Sequence, residues 1–96
     1  MARPIIVTVD DDPAVSAAVA RDLRERYADT YQVVRIGSGA EAIEVLGELA
    51  ARDQPVALIL ADHRMPEMTG IELLEQVKPT YPDTKLVLLT AYADTD

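Results

Sequence analysis

The sequence contains no cysteine, no tryptophan and no phenylalanine, and it has only four tyrosines and a single histidine. Without thiols there is no disulfide, no thiolate nucleophile and no zinc–thiolate centre, a composition that suits a reducing compartment. Positive charge is also scarce: 9 Lys and Arg stand against 17 Asp and Glu, for a net charge of −8. That balance argues against nucleic acid as a direct ligand, because phosphate backbones select clustered Lys and Arg. No apolar run approaches the ~20 residues needed to span a bilayer. The start, Met1-Ala2-Arg3-Pro4, has neither the apolar stretch nor the small-residue cleavage site of a secretion signal. A cytoplasmic protein with no membrane partner is expected. What is present is an ordinary globular composition, 49% hydrophobic over 96 residues, enough for one domain.

Short apolar runs alternate with helical patterns. Ile5 to Val9 is β-branched and reads as a strand. Asp12-Pro13 then opens a helix, with an Asx cap and a proline whose missing N–H costs nothing at the first helical position. Val15, Ala18, Val19, Leu23 and Tyr27 form its expected apolar stripe. Tyr31 to Ile36 is a second strand. Ser38 and Glu41 have capping-box spacing, and Ala42, Ile43, Leu46, Leu49 and Ala50 carry the next helix to near Arg52. Val56 to Ala61 is apolar without alternation, as in a parallel strand buried on both faces. Thr69 and Glu72 repeat the capping-box spacing, with Ile71, Leu74 and Val77 as the stripe of a short helix stopped by Pro79. Leu86 to Leu89 is a fourth strand ending at Thr90. The order is β-α-β-α-β-α-β.

Such alternation calls for an open α/β layered sheet with helices on both faces. Ligands of these sheets sit beyond the carboxyl ends of the strands. Asp10, Asp11 and Asp12 follow the first strand, Asp62, His63 and Arg64 the third, and Thr90 and Ala91 the fourth. Carboxylates crowded at one edge repel one another unless a cation joins them. Mg²⁺ is the obvious counter-charge, since it takes oxygen ligands and shares phosphate oxygens. A carboxylate beside it can serve as nucleophile in phosphoryl transfer, with a nearby hydroxyl bonding the transferring group. Asp12 needs no role beyond capping. His63 has no second histidine to form a paired-imidazole site and reads as incidental.

These residues carry a family resemblance. Val-Asp-Asp-Asp-Pro at 9–13, Asp-His-Arg-Met-Pro-Glu-Met-Thr-Gly at 62–70 and Leu-Leu-Thr-Ala at 88–91 resemble the receiver domains of two-component response regulators. The resemblance implies a flavodoxin-like, doubly wound parallel sheet of order 2-1-3-4, spanning residues 1–96 as one receiver domain. It implies Asp62 as phosphoacceptor, served by a histidine kinase. Mg²⁺ would be held by Asp11 directly, by Asp10 through water, by Asp62 and by the backbone carbonyl of Arg64. Thr90 would be the switch hydroxyl, and Ala91 the small residue that leaves the phosphoryl group room. The protein would be no enzyme beyond Mg²⁺-dependent self-phosphorylation from phosphohistidine or small phosphodonors. The wording of Ala61 to Gly70 and Leu86 to Asp94 is similar to receivers fused to a thioredoxin-reductase-like flavoprotein domain, although the residues do not name the output domain or effector.

Other readings fit less well. A haloacid-dehalogenase-like phosphatase needs a second Asp two residues after its nucleophile, where Arg64 stands. A mononucleotide-binding fold wants glycines, not three carboxylates, after the first strand. A phosphorylation-incompetent, receiver-like interaction module is the remaining alternative. It draws on one departure from the family pattern. Receivers continue past the Thr-Ala strand into a further helix, strand and helix, and that strand brings a Lys and an aromatic switch residue. The sequence ends at Asp96, so the expectation is a receiver incomplete at its C-terminus, with Leu86 to Leu89 on an open edge. An open apolar edge invites self-association or domain swapping.

Overall fold

The computed structural model describes residues 3–89. The elements run β1 (Ile5–Val9), α1 (Pro13–Tyr27), β2 (Gln32–Ile36), α2 (Gly39–Ala51), β3 (Val56–Asp62), α3 (Gly70–Val77) and β4 (Lys85–Leu89). All strand pairs are parallel and the order is β2-β1-β3-β4. The alternation of elements predicts the open α/β layering, and the observed order is the flavodoxin-like, doubly wound one that the family resemblance implies. β1 is buried along its whole length because it lies inside the sheet with a helical layer on each side.

The two faces are unequally filled. Ile5, Val7, Val9, Ile59 and Ala61 point to one side, where they meet Ala42 and Leu46 of α2 and Leu73 and Val77 of α3. Tyr81, the only described tyrosine in this core, donates its hydroxyl to the Leu46 carbonyl. On the opposite side Ile6 and Val33 pack against Ala20, with Leu23, Tyr31 and Leu58 around them. Among the described residues, α1 is the one helix on that side. Leu58 and Leu60 are therefore only half-buried, whereas the unbroken apolar run predicted burial on both faces.

The helix phases also differ from the expected stripes. In α1 the buried residues are Ser16 and Ala20, while Val15 and Tyr27 are each 43% exposed. Arg35 of β2 donates its Nε–H to Ser16 Oγ at 3.0 Å, and this contact turns Ser16 inward at the expense of Val15. Tyr27 instead meets Tyr31 edge-on, with ring centroids 6.1 Å apart. In α3, Ile71 is 47% exposed and Leu73 is fully buried. The inward face is thus Gly70, Leu73 and Val77, with Leu74 beside it.

All three helices are capped by polar side chains at their N-termini. Thr69 and Glu72 form a complete reciprocal box, at 2.9 and 3.2 Å. Ser38 accepts the Glu41 N–H at 3.1 Å, but the Glu41 carboxylate reaches the Gly37 N–H and not that of Ser38. Asp12 caps α1 by accepting from Ala14 N at 2.9 Å and Val15 N at 3.3 Å. Asp12→Ala should therefore cost about 1 kcal/mol of stability, read as a shift of the urea midpoint at unchanged slope.

Candidate functional site

Three carboxylates meet at the carboxyl edge of the sheet. β1 and β3 are parallel neighbours with Val9 opposite Ala61, so Asp10 and Asp62, each the next residue in its chain, emerge side by side. One oxygen from each of Asp10, Asp11 and Asp62 lies within 4.8 Å of the other two. Asp10 is 7% exposed, Asp62 is half-buried, and Asp11 is open to solvent. They border an open cavity of about 500 Å³ that Asp12, Val15, Arg64 and Leu89 complete.

Local hydrogen bonds set this geometry. The Asp10 carboxylate accepts the Asp12 N–H at 2.9 Å, an Asx turn that folds the acidic segment over the end of β1. Asp12 is occupied in capping α1, in line with its expected role. Asp62 accepts a hydrogen bond from the Arg64 backbone N–H. The His63 N–H bonds the Leu89 carbonyl at 3.0 Å, and the His63 carbonyl accepts from Gly70 N at 3.1 Å, which closes the loop between β3 and α3. The imidazole of His63 does not belong to the carboxylate cluster.

That loop is tight. A Cβ on Gly70 would lie 2.5 Å from the Asp62 carbonyl oxygen and 2.6 Å from Leu88 Cδ1. Only glycine lets the start of α3 pass so close to the end of β3. Glu67, in the middle of the loop, holds a φ of 69°, a left-handed conformation that side chains resist. At the far side, Met68 presses on Gly39, where a Cβ would come within 2.8 Å of its sulfur.

Electrostatics single out Asp62. Burial raises its carboxyl pKa above the ordinary value, and the charges of Asp10 and Asp11 push it further up. The Arg64 N–H and, less strongly, His63 oppose the shift. A carboxylate disfavoured by its neighbours is what a cation or a covalent partner relieves. The donors are all carboxylate oxygens, a hard set suited to a divalent ion such as Mg²⁺ and not to a thiophilic metal.

Of the site residues expected from sequence, the structure brings Asp10, Asp11 and Asp62 together and sets Arg64 on the cavity wall. Thr90 and Ala91 lie outside the described residues. Val15 and Leu89 also line the cavity, and nothing in their spacing marks them, since both read as core positions of their elements.

Comparison with known proteins decides the family. The response regulator receiver domain profile matches residues 6–96. The chain belongs to that family. The receiver is 35% identical over 89 residues to the sensor kinase CckA of Brucella abortus, covering 93% of this chain and 9% of the kinase. It is 39% identical over 77 residues to the two-component response regulator ORR11 of rice, covering 80% of this chain and 48% of that protein. It thus spans less than half of either relative. Among solved structures, it superposes on the signal receiver domain of an HD domain-containing protein from Pseudomonas fluorescens with a TM-score of 0.76, at 25% identity, over 96% of this chain and 67% of that one. The Thermotoga maritima response regulator TrrA, solved in complex with Mg²⁺-BeF, gives a TM-score of 0.75 at 27% identity, covering 94% and 71%. Among the described residues, no helix of the receiver is long and apolar enough to cross a membrane.

Proposed function

We propose that this receiver takes a phosphoryl group from the phosphohistidine of a histidine kinase onto Asp62 and changes conformation in response. The observation that carries the reading is the set of three carboxylates within 4.8 Å, drawn from the ends of two adjacent strands. The Mg²⁺-BeF complex of TrrA and the similarity to a sensor kinase support it. Asp11 and Asp62 would hold Mg²⁺ directly and Asp10 through water, with the Arg64 carbonyl as the remaining protein ligand. When bound, the ion offsets charge on the transferring oxygens.

A carboxylate oxygen of Asp62 attacks phosphorus in line with the leaving nitrogen. The O–P bond forms as the P–N bond breaks, and the imidazole departs with the electron pair and takes up a proton. Asp10, held by the Asp12 N–H, keeps its carboxylate beside the acceptor and needs no reorganisation during transfer. Thr90 is assigned the switch hydroxyl that bonds the new phosphoryl group, and Ala91 the small side chain that leaves it space. The added charge favours whichever loop arrangement brings that hydroxyl closer.

Acetyl phosphate with Mg²⁺ should add one phosphoryl group to the protein by intact-mass spectrometry, mapped to Asp62 by reductive trapping of the acyl phosphate. Chelation of the metal should suppress the gain. A group trapped on Asp11 instead overturns the assignment to Asp62, and no added group leaves an interaction module that works by docking alone.

A further inference from the structure

The α1 side of β1 carries Ile6, Thr8 and Asp10 in alternation, and Thr8 is an oddity there. It is 3% exposed, and among the described residues its hydroxyl has no hydrogen-bond partner. A buried hydroxyl left unpaired forfeits its hydration without recompense. Beside it lies a chamber of about 10 Å³ between α1 and the sheet, directly under the acidic edge. Thr8, Asp10 and Ser16 supply its polar wall, and Val19, Leu60 and Leu89 most of the apolar one.

Ser16 adds a second clue. Its side chain is 4% exposed, and its oxygen already accepts the Arg35 Nε–H at 3.0 Å. The hydroxyl hydrogen is then the part of Ser16 left to donate. Arg35 is held in place by a further bond to the Pro13 carbonyl at 3.4 Å. The chamber is mostly apolar, and the residues that line it carry two hydroxyls and a carboxylate, a set able to donate and to accept.

We propose that this chamber binds one ordered water molecule, which links Thr8 to Ser16 and Asp10. Its volume is about the least that holds one water molecule, and a buried water needs two to four polar partners. One water fits and a second does not. The molecule ties the otherwise unpaired Thr8 hydroxyl to the base of Asp10 and extends the Arg35–Ser16 pair into a continuous polar chain beneath the carboxylate cluster. The inference stands whether or not Asp62 accepts phosphate.

Two measurements on the 96-residue chain test it. A crystal structure at about 1.5 Å or better should show a density peak in hydrogen-bonding range of Thr8 Oγ1 and of either Ser16 Oγ or Asp10. An empty chamber, or a Thr8 hydroxyl bonded to another protein atom, overturns the proposal. Thr8→Val, close to isosteric, should lower the folding equilibrium constant about fivefold, because the water loses a partner. An unchanged or larger constant is the result for a hydroxyl that had no partner to lose, and it too overturns the proposal. If the variant does not fold, the density decides.

Discussion

Asp62→Asn should abolish the phosphoryl gain from acetyl phosphate completely and, in the same molecule, stabilise the chain at neutral pH when metal is chelated. The two effects have one cause. Burial and the charges of Asp10 and Asp11 raise the Asp62 pKa above its ordinary value of 3.8, so the fold holds that proton longer than the open chain does. The stability that Asp62 contributes is therefore fully present below the unfolded pKa and is lost as pH rises through the folded one. Asparagine removes the charge that causes the loss. The gain should be absent in acid, grow toward neutrality and reach up to about 1 kcal/mol, since the site is partly open and solvent screens it. Urea melts in chelator across a pH series read this directly. Magnesium should reverse the ranking: at a hundred times its Kd it stabilises the parent by about 2.7 kcal/mol, and the variant by much less. A variant that melts like the parent in chelator at every pH would show that the three carboxylates do not strain one another.

Gly70→Ala should be the most damaging single-methyl change among the described residues, at about 3 kcal/mol. The added Cβ meets a backbone oxygen at 2.5 Å, that of Asp62 itself, and cannot be relieved by rotating a side chain. Relief requires moving the end of β3 or the start of α3, and either motion disturbs the seat of Asp62, the proposed phosphoacceptor. Loss of stability and loss of phosphorylation should thus appear together. Gly47 provides the control. It lies inside α2, where a Cβ meets nothing within 4 Å, so Gly47→Ala should gain about 0.5–1 kcal/mol from helix propensity and chain entropy. Thermal midpoints moving in opposite directions separate a packing glycine from a merely permissive one. Equal shifts would contradict the close approach at Gly70.

The α/β layering and the convergence of Asp10, Asp11 and Asp62 were legible because both depend on coarse patterns, while the strand order came with the family resemblance. Short β-branched runs alternating with capped helical segments allow few topologies, and the acids stand at strand ends, where such sheets place their ligands. Helix phase was less legible. Val15 and Ile71 look like core residues by type and spacing, yet the rotation of each helix is set by partners remote in sequence. Arg35 draws Ser16 inward, and the approach of Gly70 to Asp62 fixes which side of α3 meets the sheet. A polar contact across 19 residues leaves no mark in local periodicity. Nor does the half-burial of Leu58 and Leu60, because an apolar run reports hydrophobicity and not what covers it. The Glu41 carboxylate shows the same limit on a smaller scale, since the box motif fixes which groups are near one another but not which N–H each one reaches.

The loop beyond Asp62 owes its shape to clamps at its ends and not to comfort along its length. Glu67 sits at a backbone angle that an unconstrained glutamate would leave, and the bonds from Met68 N to the Pro66 carbonyl and from Gly70 N to the His63 carbonyl keep it there. The strain at Glu67 is thus held by hydrogen bonds on both sides of it, in the loop that follows Asp62 in the chain.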